Sequence, residues 1–155
     1  MTFICDAMLG SLARWLRLLG FDTIYSRTIS DNELIRIARI EDRIVLTRDT
    51  GIPKRKGPQR TILIQSNDTF EQLKEVLKAG EWQRAKGERP RCTLCNGELA
   101  AAEKDAVAGR VPEYVFLNAT SFFICMECGK VYWHGSHKKS IDSRLQKILE
   151  QIGAQ

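Results

Sequence analysis

The chain lacks any uninterrupted apolar run near the roughly 20 residues that a membrane-spanning helix needs. Its start, Met1-Thr2-Phe3-Ile4-Cys5-Asp6, has no basic segment leading into a long apolar stretch. The expectation is a cytoplasmic protein with no membrane partner. Cysteine is too sparse for a disulfide scaffold, 5 in 155 residues, because secreted disulfide domains are usually short and cysteine-dense. No internal repeat or low-complexity tract appears, and the net charge of +5 is spread over both halves rather than gathered in a basic tail. Basicity of this kind favours a polyanionic partner without demanding one. A hydrophobic content of 43% and a charged content of 28% describe ordinary globular material, one domain or two small ones.

Four of the cysteines form two pairs, Cys92-Thr93-Leu94-Cys95 and Cys125-Met126-Glu127-Cys128. Two intervening residues let a tight turn aim both sulfurs at one ion, and the long insert can fold back as a hairpin to bring the second pair opposite the first. This spacing is that of a zinc ribbon, with two disulfides as the competing use of four cysteines. Asn96-Gly97 and Gly129 follow the pairs and supply the positive-φ residues that such knuckles require. Cys5 lies in an apolar strand-like run and reads as a small buried hydrophobe.

The first part alternates short β-rich runs with helical patterns. Phe3-Ile4-Cys5 is a strand; Met8, Leu9, Leu12, Trp15, Leu16 and Leu19 then recur at steps of three and four until Gly20. Thr23-Ile24-Tyr25 is a second strand. Ser30-Asp31-Asn32-Glu33 opens a helix with a capping box, carrying Leu34, Ile37 and Ala38 inward. Ile44-Val45-Leu46-Thr47 and Thr61-Ile62-Leu63-Ile64 read as strands of a parallel sheet, and a helix follows over about Thr69 to Ala79. The expected fold class is α/β: a small parallel-sheet domain over 1–80, a linker over 81–91, and a zinc ribbon with a C-terminal helix over 92–155. Within the ribbon, Glu113-Tyr114-Val115-Phe116 and Phe122-Phe123-Ile124 read as β-rich, and a polar-faced helix is expected from about Ser140 to Ile152.

Ligands of open parallel sheets sit beyond the carboxyl ends of the strands. Asp6 directly follows the first strand, Asp49 follows the third through Thr47-Arg48, and Asp31 lies in the first turn of the helix after the second. Each has a plain alternative as a turn residue or helix cap. Converging on one rim, the three would repel one another unless a hard divalent cation such as magnesium or manganese neutralised them. Such an ion held against a phosphodiester activates water and stabilises the departing oxygen.

The chain at this point resembles a known family, the PIN-like ribonuclease domain with an appended zinc ribbon, or Mut-seven C-terminal RNase family. The matching residues run from Asp6-Ala7-Met8-Leu9-Gly10-Ser11-Leu12-Ala13-Arg14-Trp15-Leu16-Arg17-Leu18-Leu19-Gly20 through Asp31 and Thr47-Arg48-Asp49. They continue in Arg91-Cys92, Cys95-Asn96, Cys125, Cys128-Gly129-Lys130-Val131-Tyr132-Trp133 and Gly135-Ser136-His137. The resemblance implies a PIN-like fold and metal-dependent RNA cleavage, with Asp6, Asp31 and Asp49 at the positions of the acidic site. It departs from many PIN nucleases in lacking a clear fourth acid, Asp68 being the nearest candidate.

For RNA contact the sequence offers first Lys54, Arg55 and Lys56 in a Pro- and Gly-containing loop just past Asp49, and then Arg48, Arg14 and Arg17. By periodicity Arg14 and Arg17 fall opposite the apolar stripe of their helix, on a solvated face. His134 and His137 read as surface or RNA-contact residues, since four sulfurs already close a zinc site. Tyr132, Trp133, Phe122 and Phe123 suit either base stacking or the ribbon's small core. The resulting expectation is a magnesium- or manganese-dependent ribonuclease acting on single-stranded or flexible RNA, with structural zinc in a ribbon that helps hold the RNA. The alternatives are a non-enzymatic zinc-ribbon RNA-binding adaptor and a DNA-directed nuclease, because no residue obviously reads a 2′-hydroxyl.

Overall fold

The structure is a computed structural model, describing residues 1–56, 60–79, 89–135, 143, 145–148, 150 and 151. The chain divides into two compact units, Met1–Asn96 and Gly97–Gln155. In the first, β1 (Thr2–Cys5), α1 (Gly10–Leu18), β2 (Asp22–Tyr25), α2 (Asp31–Ile40), β3 (Ile44–Thr47), β4 (Thr61–Leu63) and α3 (Thr69–Lys78) follow one another as the sequence predicts. The four strands pair in parallel in the order β2-β1-β3-β4.

That order has a mechanical consequence. The chain steps from β1 to β2 in one direction and from β2 to β3 in the other, so right-handed crossovers send α1 and α2 to opposite faces. Alternation along the strands serves both layers. Ile4 and Val45 pack with Leu34, Ile35 and Ala38 of α2, together with Ile52 from the following loop. On the neighbouring strand position Phe3 meets Phe21 edge-to-face at 5.4 Å. Leu12, Ala13 and Leu16 of α1 and Leu73, Val76 and Leu77 of α3 are buried, each large side chain worth about 1.5–3 kcal/mol.

Local signals set the element ends. Ser30 Oγ accepts from the Glu33 amide at 3.3 Å, and Asp68 Oδ1 accepts from the amides of Phe70 and Glu71 at 3.0 Å each. Asp68, the nearest candidate for a fourth acid, thus caps α3. Gly20 ends the α1 turn at φ +91°. Met8 precedes the first helical residue and is exposed instead of facing the core.

The second unit is an antiparallel sheet in the order β5-β6-β7, formed by Leu99–Ala102, Phe122–Cys125 and Val131–Trp133. Glu113-Tyr114-Val115-Phe116, read above as β-rich, instead opens a short helix, α4 (Glu113–Asn118), preceded by Pro112. Phe116 and Ala119 donate amides to the carbonyls of Pro112 and Val115, and Asn118 Nδ2 donates to Tyr114 O at 2.8 Å. A β-branched and aromatic composition was overridden by one turn of local backbone hydrogen bonds after Pro112. Residues 143, 145–148, 150 and 151 are helical. The rest of the expected C-terminal helix, the linker stretch 80–88, Gly57, Pro58 and His137 lie outside the described residues. Among the described residues no helix is long and apolar enough to cross a membrane.

Candidate active site and four-cysteine centre

Between β1 and β3 the winding direction of the sheet reverses, and at such a switch point the loops leaving adjacent strands diverge to open a place for a ligand. Asp6 leaves β1 there. Only 7% exposed, it accepts three hydrogen bonds, from the Met8 amide to Oδ1 at 2.9 Å and from Thr47 Oγ1 (2.6 Å) and the Arg48 amide (2.8 Å) to Oδ2. Thr47 Oγ1 in turn accepts from the Asp49 amide at 2.9 Å. One buried hydroxyl therefore ties the carboxyl ends of β1 and β3 and fixes both aspartates relative to each other. Asp49 itself is exposed, with Oδ1 accepting from the Gly51 amide at 2.7 Å.

Asp31 occupies the first turn of α2, where its Oδ2 lies 3.1 Å from Arg55 Nη2. Arg55 Nη1 also donates to Asn32 Oδ1 at 3.1 Å. The loop that carries Lys54, Arg55 and Lys56 is anchored: Ile52 is buried against α2, and Arg39 Nη2 donates to Lys56 O at 3.3 Å. Tyr25 secures the loop after Asp6 by donating its hydroxyl to Ala7 O at 3.1 Å. A Cβ on Gly10 would lie 2.6 Å from the Tyr25 hydroxyl oxygen, so any larger residue at the start of α1 has to displace the Tyr25 ring. Cys5, beside Asp6, is buried; burial first and the Asp6 charge second push its thiol well above the ordinary range, which fits a neutral core residue.

Arg14 is exposed, as expected, but Arg17 is not on the solvated face. It is 4% exposed and its guanidinium is spent on carbonyls: Nε donates to Thr23 O at 2.9 Å, Nη1 to Thr93 O at 2.9 Å and to Leu94 O at 3.1 Å. Ala13, four residues earlier, is buried, and residues four apart share a helix face. Counting that alanine as part of the apolar stripe is the signal that would have turned Arg17 inward.

Arg17 holds the first cysteine pair. In both pairs the second cysteine's amide donates to the first Sγ at 3.5 Å, and the next residue's amide donates to the first cysteine's carbonyl, at 2.9 Å for Asn96 and 3.0 Å for Gly129. That next residue has φ +72° in Asn96 and +74° in Gly129, so the two knuckles repeat one backbone shape. Gly97, expected to help with positive φ, serves close approach: a Cβ there would come 2.9 Å from Cys125 Sγ. The asparagine has a further use. Its Oδ1 accepts from the Thr23 amide at 3.0 Å and its Nδ2 donates to Asp22 Oδ1 at 2.8 Å, latching the knuckle to the amino end of β2.

Asp22 was not singled out in the sequence. It meets Arg43 Nη1 at 2.7 Å and Arg91 Nη2 at 3.7 Å. Burial alone would raise its pKa, yet hydrogen bonds from Arg43 and Asn96 and the charges of Arg43 and Arg91 hold the carboxyl below its ordinary value.

None of the five cysteines is in a disulfide, and one sulfur from each of Cys92, Cys95, Cys125 and Cys128 lies within 4.8 Å of the others. A tetrahedron of Zn–S bonds of about 2.3 Å has sulfur–sulfur edges of about 3.8 Å, so the donor set and spacing fit a zinc ion. Among the described residues these cysteines are the one group of three or more His, Cys, Asp and Glu side chains close enough to share an ion. Asp6, Asp31 and Asp49 do not form such a group in this arrangement, Asp31 being turned to Arg55. His134 Nδ1 lies 2.7 Å from Ser121 Oγ and its ring packs on Phe123. Phe122 is buried, and Trp133 is exposed.

A parallel α/β sheet with acids at its switch point, in a chain whose four-cysteine centre has the donor set and spacing compatible with zinc, is the arrangement of a nuclease-like domain with a ribbon. The family model of the Mut7-C RNAse domain matches residues 1–145, and the chain belongs to that family. No curated protein and no solved structure matches it.

Proposed function

We propose that this protein is a magnesium- or manganese-dependent ribonuclease that hydrolyses phosphodiester bonds of single-stranded or flexible RNA. One observation carries the reading: the Thr47 hydroxyl joins Asp6 to the Asp49 backbone at the switch point of a Mut7-C RNAse domain. Asp6, Asp31 and Asp49 are the residues that would hold the cation, because carboxylates are acceptor-only oxygen donors suited to a hard ion. When bound, the cation supplies an activated water and charge neutralisation at the phosphate. The chain's own part is orientation. Thr47 and the Met8 and Arg48 amides keep Asp6 in one rotamer, and Arg14, Lys54 and Lys56 offer exposed charge to the phosphate backbone. Zinc at the four cysteines is structural.

A second reading, a non-enzymatic zinc-ribbon RNA-binding adaptor, has one observation on its side: the Asp31 carboxylate is paired with Arg55. A single assay separates the two. Purified protein is incubated with single-stranded RNA and with matched DNA, with and without magnesium or manganese, beside Asp6→Asn. The nuclease cuts RNA only with the cation and Asp6→Asn loses the activity while binding persists, since removing a negative charge weakens cation binding but not phosphate contact. Metal-independent cleavage, or full activity in Asp6→Asn, overturns the mechanism.

A further inference from the structure

Among the described residues two buried side-chain nitrogens lack a hydrogen-bond partner, Arg48 Nε and Arg91 Nε. Leaving such a group dry and unpaired costs about 1–3 kcal/mol, more when it is charged, so each calls for a reason. For Arg91 the reason is local: Nη2 faces Asp22 Oδ2 at 3.7 Å, and its amide donates to Arg17 O at 2.8 Å. Arg48 has no such partner. Among the described residues its guanidinium makes no hydrogen bond or ion pair, although its own amide donates to Asp6 Oδ2 and Asp49 is the next residue.

An arginine flanked by two carboxylates that pairs with neither is committed to something else. Both acids are already engaged, Asp6 by Thr47 and the Met8 and Arg48 amides, Asp49 by the Gly51 amide. Arg48 sits at the carboxyl end of β3, at the switch point, where the reacting phosphate of the proposed reaction would lie. A guanidinium offers donors in a fixed fork that matches two oxygens of a phosphate. We infer that Arg48 is a catalytic residue of this site, its guanidinium donating to the non-bridging oxygens of the scissile phosphodiester. It belongs to the chemistry more than to general RNA affinity. As the water oxygen adds to phosphorus and the bond to the leaving oxygen breaks, charge on those non-bridging oxygens is met by donors already in position. The inference rests on the ribonuclease reading and assigns one of its residues.

The test uses the full chain and two readouts. Cleavage of a fluorescent single-stranded RNA in manganese gives kcat and KM for wild type, Arg48→Lys and Arg48→Ala. The expected result is a kcat loss of about a hundredfold or more in Arg48→Ala with KM changed by less than about threefold, and partial recovery in Arg48→Lys, which keeps the charge but not the fork. Thermal melts check that both variants fold. The second readout needs no catalysis. The arginine Nε–Hε resonance that vanishes in Arg48→Lys identifies Arg48, and it should move when wild type is saturated with a 2′-O-methyl single-stranded RNA or, more weakly, with inorganic phosphate. If backbone resonances respond to that RNA while the Arg48 signal stays still, or if Arg48→Ala raises KM with kcat intact, the assignment is wrong and the nuclease reading stands. If wild type neither binds nor cuts RNA, both readings fall together.

Discussion

Arg17, in the last turn of α1, donates from Nη1 to the carbonyl of Thr93 at 2.9 Å, binding the first cysteine knuckle to the helix that follows Asp6. The same guanidinium reaches Thr23 O and Leu94 O, and the Arg91 amide returns a hydrogen bond to Arg17 O. The knuckle therefore belongs to the fold of the first unit.

Replacing Arg17 by alanine leaves one buried and two part-buried carbonyls without their donor, a loss of about 3 kcal/mol. The expected outcome is a lower urea midpoint together with faster zinc release to a chromogenic chelator. Arg17→Lys should recover only part of either, since one ammonium lacks the fork that spans them. An unchanged zinc release rate would show that the knuckle is held by other contacts.

Asn96 separates backbone from side-chain effects. Asn96→Gly accepts the φ of +72° but loses the bonds to Thr23 and Asp22; Asn96→Ala loses them and also strains the backbone, by about 1 kcal/mol. Stability by denaturant titration should fall in the order wild type, Asn96→Gly, Asn96→Ala. If glycine matches wild type, the latch contributes nothing.

Asp22 has a folded-state pKa below its ordinary value of 3.8, so the unfolded chain takes up its proton first as pH falls. Its stabilising contribution is present above that value and is lost as pH drops through the lower, folded one. Thermal melts from about pH 6 to about pH 3 should show wild type losing stability towards the acid end. Asp22→Asn should start lower and change less with pH. Parallel curves for the two proteins would remove Asp22 from the acid response.

Arg55 competes with a cation for Asp31 if Asp31 is a ligand. Arg55→Gln should then tighten manganese binding about two- to fivefold by calorimetry, a modest factor because the ion pair is solvent-exposed. Unchanged affinity would confine Asp31 to the start of α2.

Neutralising Lys54 and Lys56 should weaken RNA binding and lower the slope of log affinity against log salt by about 0.7 for each phosphate that the loop no longer neutralises. Cleavage at saturating RNA should persist. A slope that stays the same places the RNA elsewhere.

The helices of the first unit were legible because their signals are local. Ser30 and Asp68 carry cap oxygens, Gly20 takes a left-handed turn, and apolar residues recur at the helical period. Two knuckles of matching spacing were legible for the same reason: a turn of four residues is decided by the residues within it. Position along the chain also put Asp6 and Asp49 at strand ends, while the sheet order made those two strands, β1 and β3, neighbours. Composition failed at Glu113-Tyr114-Val115-Phe116, where aromatic and β-branched residues favoured a strand but one turn of backbone hydrogen bonds after Pro112 gave a helix.

By itself the sequence determined the α/β order, the parallel sheet, the zinc-type cysteine pairs and the acids at strand ends, each a matter of near neighbours and period. Only the tertiary structure decided that Arg17 turns inward, that Asn96 and Asp22 meet, that Asp31 faces Arg55, and that the Arg48 guanidinium finds no partner among the described residues. Those outcomes join residues from about 20 to nearly 80 positions apart, or depend on every candidate partner being already engaged. A charged side chain goes wherever the folded chain offers it partners, and no local pattern records where that is.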